Sequence, residues 1–574
     1  MTMHFPRLAP LERRLVEQYV NTYCRETACF DPRLAPTDAG PAELQAQITG
    51  WRAAGLMPYL VSFAQTGYQL VGALNYFSPI GYHRVTPFAW IGYNGNWCPL
   101  TNATPLVDRI VDTLADASGQ PAETVQQCRD RLKTLMRNSV DKVRRFHQHH
   151  AAGGRSAFVA AEQGLRFGHI FHVTSKASEG FSEEDMQRYA PELGASFRLH
   201  YFAVAANLLD TRVVNVEQLP IDPEAARFAE GRLADGEYHL LPCHPWQANH
   251  LLSLSEIAEL VKNRSLISLG PLGEVVWPTS SVRTVWLPAQ ELFLKLSLNI
   301  RITNFVRNNP SEHVERALDA SLALSQLPQE VLEQPTFHIL AELGSQSLKL
   351  PSEALRAACT VVYRKAIPGT EAEHAQVVAS VLEEPAEGEI PLWTLLRQAA
   401  GRNAPDTALV QRWWARYLDA SLLPLLRLFS EYGISLEAHL QNAMMAFQDG
   451  WPARGYARDM EGTSISRTRF PFLDRLKPDS PVLYDEQQAW HRFQYYVLVN
   501  HIGHVIACLA RTGLTTEAAL WRDTAGRIAA TGNPLVRQLL AQPTLPAKAN
   551  MLSSFQQRGE RPSWVEIPNP LLQR

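Results

Sequence analysis

Apolar residues recur at the helical spacing of three and four over two long stretches near the N-terminus. Leu11, Leu15, Val16, Tyr19, Val20 and Tyr23 predict a helix over 10–29, and Val125, Leu132, Leu135, Met136, Val140 and Val143 predict a second over 122–146. Between them, 68–101 is aromatic and glycine-rich (Tyr76, Phe77, Tyr82, Phe88, Trp90, Tyr93, Trp97), which predicts short strands and turns. From 156 to 310 the period falls to two, with apolar runs at 158–161, 213–216, 238–241, 275–277 and 292–302, and a mixed sheet is expected there. Beyond about 311 helical periodicity returns. It is interrupted at 383–389, where acids, Pro385 and Gly388 predict a surface loop. The most apolar stretch, 495–510, contains Asn500, His501 and His504 and is too short to cross a bilayer, so it predicts a buried helix.

The order helical, mixed, helical indicates an α+β chain with three parts: 1–160, 161–310 and 311–574. At 574 residues the chain is long enough for several cores, and 46% hydrophobic against 19% charged residues excludes a disordered chain. A net charge of −3 provides no broad basic field, so neither nucleic acid nor an anionic membrane is an expected partner. Seven cysteines without a C-x-x-C pair fit reduced thiols, and the N-terminal Met-Thr-Met-His-Phe-Pro-Arg does not have the pattern of a secretory signal. A cytoplasmic location is expected.

The densest chemistry lies at Ser280-Ser281-Val282-Arg283-Thr284, a Leu287-Pro288-Ala289 turn, and then 292–303. In the second segment Leu294, Leu296, Leu298, Ile300 and Ile302 alternate with Lys295, Ser297, Asn299, Arg301 and Thr303, so one strand would send its polar groups to one face. A hairpin joining the segments would gather Arg283 and Lys295, with Asn304 and Arg307 just beyond. Cations and hydroxyls on a rigid sheet suit polyphosphate, although a solvated strand face has the same pattern.

Alternation recurs at 434–442, where Ser435, Glu437, His439 and Gln441 share one side of an extended segment, followed by Arg458-Asp459-Met460-Glu461-Gly462. Glu437 and Asp459 could together hold Mg²⁺, which prefers oxygen ligands and substrate phosphates; a structural ion pair is the other reading. Gly168-His169-Ile170-Phe171-His172, followed by Lys176 and Gly180, has no further ligand at zinc-like spacing, so anion contact is favoured over a metal. His147, His149 and His150 follow Arg144 and Arg145 at a helix end and need no chemistry. Pro242-Cys243-His244-Pro245-Trp246-Gln247 predicts a fixed turn. The sequence contains no P-loop, no G-x-G-x-x-G after a strand and no G-x-S-x-G.

In order, G-H-x-x-H with the later Lys, H-P-W-Q, S-x-R-T, K-x-S-x-N-I-R-x-T-N-x-x-R, E-x-H-x-Q-N and R-D resemble the IucA/IucC family, the siderophore synthetases that work independently of nonribosomal peptide synthetases. The similarity runs from about 160 to 460 and returns at Lys548-Ala549 and Asn569-Pro570-Leu571. It implies a cupped hand with the three parts as thumb, fingers and a loosely kinase-like palm, and a homodimer. It also implies an ATP-dependent ligase that adenylates a carboxylate of citrate or of a citrate or dicarboxylate derivative, then passes the acyl group to an amine, hydroxylamine or alcohol.

By the resemblance, Ser281, Arg283, Thr284 and Lys295 meet the ATP phosphates, and Asn304 and Arg307 lie near the α-phosphate and the carboxylate substrate. His172, and less directly His169, meet the phosphate and substrate region. Glu437 and Asp459 bind Mg²⁺, Gln441 sits beside the nucleotide and His439 faces the carboxylate. Ile170 and Val173 stand where many members have proline, and Ser178 where they have arginine, which bears on which acid is accepted. Two rival readings remain: a kinase-like phosphotransferase or acyl-phosphate ligase, and a non-catalytic binding protein with a degenerate site.

Overall fold

The computed structural model describes residues 6–33, 40–149, 155–233, 237–303, 305–559 and 561–572; Asn304 and His150 lie outside the described residues. Near the N-terminus the helix Pro10–Glu26 packs Leu15, Val16, Tyr19, Val20 and Tyr23 into one core with the helices Thr104–Ala117 and Ala122–Gln148. A four-stranded meander, Met57–Phe63, Tyr68–Tyr76, Arg84–Tyr93 and Asn96–Pro99, covers that core.

Of the apolar runs expected as strands, 158–161 is instead helical. Ser156 caps the helix Ala157–Gln163 by accepting a hydrogen bond from Val159 N. Phe158 and Val159 turn into a core with Trp286 and Phe293. A four-residue apolar run fits either element, and here the cap decides.

Eight strands form the central sheet, in the order Leu209–Val213, Glu342–Leu348, Val361–Lys365, Leu292–Leu296, Thr284–Leu287, Leu266–Pro278, Phe197–Ala205, Tyr238–Cys243. Every pairing is antiparallel, not mixed, because hairpins and short returns need no crossover helix. Two of the strands come from beyond residue 310, so the sheet extends past the second expected boundary.

The alternating run 292–302 is two strands. Leu292–Leu296 lies in the large sheet, whereas Leu298–Ile302 joins a three-stranded ribbon with Phe305–Arg307 and Ser178–Glu179. Ser297 is the break, and its hydroxyl lies 2.6 Å from Ala357 O and 2.7 Å from Thr360 O. Lys295 and Arg301 therefore sit on different sheets.

The C-terminal part wraps helices around a five-stranded sheet in which Phe337–Leu340 runs parallel to Trp451–Arg458. Its core contains Trp413, Trp414, Tyr417, Phe429 and Trp521. The expected buried helix lies within Glu486–Ala510, which widens to a π-helix over Gln494–Ile502. Among the described residues it is the one helix long and apolar enough to cross a membrane, and it is buried in protein.

The acidic segment 383–389 is not wholly a surface loop. Glu384 is 3% exposed and pairs with Arg14, Arg84 and Arg511, while Glu383 accepts hydrogen bonds from the backbone N–H groups of Arg166, Phe167 and Gly168. Three guanidinium groups from distant elements compensate a charge that composition alone would leave in water.

Candidate functional site

The turn from Thr279 to Thr284 opens the site. Thr279 N and Thr279 Oγ1 both donate to Thr284 O, at 2.8 and 2.9 Å, and Val282 is held at φ +69°. A β-branched residue in the left-handed region is strained, and such strain persists where the surroundings over-determine it. The Ser281 hydroxyl accepts from Thr284 N at 3.2 Å, and Gln441 Nε2 donates to the neighbouring Ser280 hydroxyl at 3.3 Å. Ser281, Thr284 and Gln441 are thus brought to one turn.

Arg283 closes that turn and is 6% exposed. Its Nη1 donates to Arg307 O, Asn308 O and Asn309 Oδ1, and its Nη2 lies 3.8 Å from Glu461 Oε2. Thr284 pairs with Lys295 across the hairpin, so Arg283 and Lys295 do meet. Lys295 Nζ bonds Asp459 Oδ1 at 2.7 Å and Glu461 Oε2 at 2.6 Å. Arg364, on the strand beside Lys295, reaches Asp459 at 3.0 Å and Glu342 at 2.9 Å, and His313 Nδ1 lies 3.0 Å from Glu461 Oε1. Burial alone would raise the Asp459 and Glu461 carboxyls; Lys295, with Arg364 at Asp459 and with His313 and Arg283 at Glu461, holds both well below the usual range.

Arg364, Glu342 and His313 escaped the sequence reading, and Glu461 stood in the charged cluster there without a role. The Asp-Met-Glu spacing, and Arg364 in an apolar strand, were the available signals.

Arg307 donates Nη2 to Ile302 O and to the Thr303 hydroxyl, while its buried Nε has no partner. Burial, and then Arg283, push it down to about 10. A buried unsatisfied guanidinium N–H beside Arg283 is suited to an anion.

Glu437 does not pair with Asp459. Its neighbour is Lys548, 3.9 Å away, and it packs on Gly462, where a Cβ would fall 1.7 Å from Glu437 Oε2. Burial raises the Glu437 carboxyl, but Lys548 foremost, with Arg492, outweighs it and keeps the group ionised. Lys548 itself is pushed down to about 8, chiefly by burial, and lies 4.6 Å from the Tyr496 ring centre. No group of three or more metal-ligating side chains converges among the described residues. Two ionised carboxylates, Glu437 and Asp459, nevertheless suit Mg²⁺, which takes one or two protein carboxylates and completes its shell with water and phosphate.

Three histidines share one local geometry. Phe171 N, Thr174 N and Gln441 N donate to Nδ1 of His169, His172 and His439 at 3.1, 3.3 and 3.2 Å. Burial, the first cause in each case, lowers all three, His172 to about 4, so the rings are neutral at pH 7. At His172 and His439 an accepting Nδ1 places the single proton on Nε2, which makes each of these two rings a hydrogen-bond donor there. The His169 Nε2 edge meets Asn500 at 2.7 Å, whereas His172 has Arg307 and Lys548 among its charged neighbours. Lys176 is committed to Glu192 at 2.6 Å.

The H-P-W-Q turn is structural. His244 caps the helix Pro245–Leu252, and Gln247 bridges Asn299 N and Ala358 O.

Residues 157–383 match the model of the IucA / IucC family, and 411–563 match that of the ferric iron reductase FhuF-like transporter. An L-2,3-diaminopropanoate–citrate ligase of Staphylococcus aureus is 33% identical over 528 residues, covering 88% of this chain and 89% of that one. A spermidine–citrate ligase of Bacillus anthracis is 28% identical over 73% of this chain and 74% of its own. The solved ATP-bound aerobactin synthetase IucA from Klebsiella pneumoniae superposes with a TM-score of 0.80 at 22% identity, covering 97% of this chain and all of that one. With its fold, its ordered motifs and its full-length relatives in agreement, the chain belongs to the IucA/IucC family.

Proposed function

We propose that the chain is an ATP-dependent siderophore synthetase that adenylates a carboxylate of citrate, or of a citrate or dicarboxylate derivative, and condenses it with an amine, hydroxylamine or alcohol. The observation that carries this reading is the meeting of Arg283, Lys295 and Arg307 beside Asp459 and Glu461 in a member of a family whose relatives are citrate ligases.

A carboxylate oxygen attacks the α-phosphorus and the bond to the β,γ-unit breaks, giving acyl-adenylate and pyrophosphate. Arg283 and Lys295 bind the phosphates, with Ser281 and Thr284 at the turn and Gln441 beside the nucleotide; Arg307 and the His172 Nε2–H meet the α-phosphate and the acid. The nucleophile then attacks the acyl carbon, its proton passes to water, and AMP leaves. Such fixed donors are each worth about 3–4 kcal/mol of transition-state stabilisation. Glu437 and Asp459 would hold Mg²⁺, which supplies further charge compensation for the phosphates. His439, protonated at Nε2 and neutral, donates to the acyl oxygen and does not take the nucleophile's proton. The thumb, fingers and palm enclose this site in the division we propose, with the strand Phe337–Leu340 of the palm sheet preceding the last two strands of the large sheet, Glu342–Leu348 and Val361–Lys365.

Hydroxamate trapping with a panel of acids, citrate first, tests the reading. Acid-dependent pyrophosphate release supports it. ADP and phosphate without pyrophosphate would establish the kinase-like alternative.

A further inference from the structure

We infer that Asn309 is a positioning residue that sets the relative placement of Arg283 and Lys295, an inference that rests on the phosphate-binding role proposed for those two cations. Asn309 is 2% exposed and lies between the ribbon strand Phe305–Arg307 and the helix Ser311–Ser325. Its Oδ1 accepts from Arg283 Nη1 at 2.7 Å, the shortest of that nitrogen's three contacts. Its Nδ2 donates to Lys295 O and to Thr360 O, each at 3.0 Å, and its backbone N–H donates to Ala357 O at 3.1 Å.

One carboxamide therefore grips the guanidinium of one cation and the main chain of the other. It does so one residue before the strand Leu292–Leu296 ends, where Lys295 is still paired with Thr284 on one side and Val362 on the other. Only an amide has the required polarity. Aspartate keeps the acceptor for Arg283 but turns a second oxygen toward two carbonyls, and alanine removes both halves of the bridge. Arg283 would then keep the Arg307 and Asn308 carbonyls at the end of the ribbon, and only the longer 3.8 Å contact with Glu461 would still tie it to Lys295.

A double-mutant cycle on the full-length protein tests this, with ATP affinity measured by calorimetry without acid substrate. Asn309→Ala should weaken ATP binding about tenfold in the wild-type background and less than about twofold in Arg283→Ala. Asn309→Ser, which leaves room for a water, replaces it if the alanine variant does not fold. Equal losses in both backgrounds would overturn the inference while leaving the phosphate-binding reading intact. An ATP affinity that Arg283→Ala and Lys295→Met leave unchanged would overturn the phosphate-binding reading, and the inference with it.

Discussion

Lys295 is set between two carboxylates, and its ammonium is the hinge of the candidate site's electrostatics. Replacing it by methionine removes a phosphate cation and leaves Asp459 and Glu461 facing each other. Lys295→Met should lower pyrophosphate release by 10²–10³-fold, on the order of one lost preorganised donor. A chromatographic pyrophosphate assay with saturating ATP measures it, and a loss below tenfold would remove Lys295 from the role. His439 gives a second contrast. Glutamine can still offer an N–H near the former Nε2, so His439→Gln should retain at least tenfold more turnover than His439→Ala if the imidazole is a donor. Equal losses would indicate a base. Lys295, Arg283 and Asp459 were legible because strand alternation and charged spacing single them out. Asn309, Arg364 and Glu461 were not, because their importance comes from partners on other elements: Arg364 meets Asp459 from across the sheet.

At the level of elements, the sequence overstated continuity. Alternation from 294 to 303 is unbroken, yet the ladder ends at Leu296, where Asn309 takes the carbonyl of Lys295, Gln247 takes the N–H of Asn299, and the Ser297 hydroxyl turns to the carbonyls of Ala357 and Thr360. Side-chain capture of carbonyls and N–H groups leaves no trace in a hydrophobic pattern. The acidic segment misled in the opposite sense, since Glu384 looks like a solvated charge and instead ties the helix Pro10–Glu26, the strand Arg84–Tyr93 and Arg511 together. Removing it takes the paired carboxylate from Arg511 and leaves Arg14 and Arg84 with Glu17 alone. Glu384→Ala should destabilise the protein by about 3–5 kcal/mol, read as a shift in the urea midpoint. A shift under about 1 kcal/mol would mean that the cluster is screened by solvent.

For the molecule as a whole, buried titratable groups set the pH range of stability. His83, His172, His200, His244, His501 and His504 all have folded-state values pushed down to about 3 or 4, chiefly by burial. The unfolded chain takes up these protons below about 6.5 and the folded chain does not, so stability is present above that pH and falls as the pH drops toward 4. Equilibrium unfolding at pH 5 should be linked to the uptake of several protons. Glu26 works with the opposite sign. Burial, opposed by the N–H groups of Met551 and Leu552, raises it to about 8, so its contribution is complete below about 4.5 and is lost as the pH rises to 8. Glu26→Gln should flatten the alkaline side of the stability profile and leave the acidic side unchanged. The α+β class and the three-part order were visible in the change of hydrophobic period, whereas the reach of the central sheet past residue 310 was not, because strand order is set by long-range pairing.

The central claim is that Arg283, Lys295 and Arg307 serve acyl-adenylate formation. The most direct measurement is the nucleotide product formed by the wild-type protein with ATP, Mg²⁺, citrate and hydroxylamine, resolved by chromatography. AMP, pyrophosphate and a citryl hydroxamate are expected in equal amounts, dependent on citrate and lost in Lys295→Met. ADP and phosphate, or citrate-independent turnover, would contradict it.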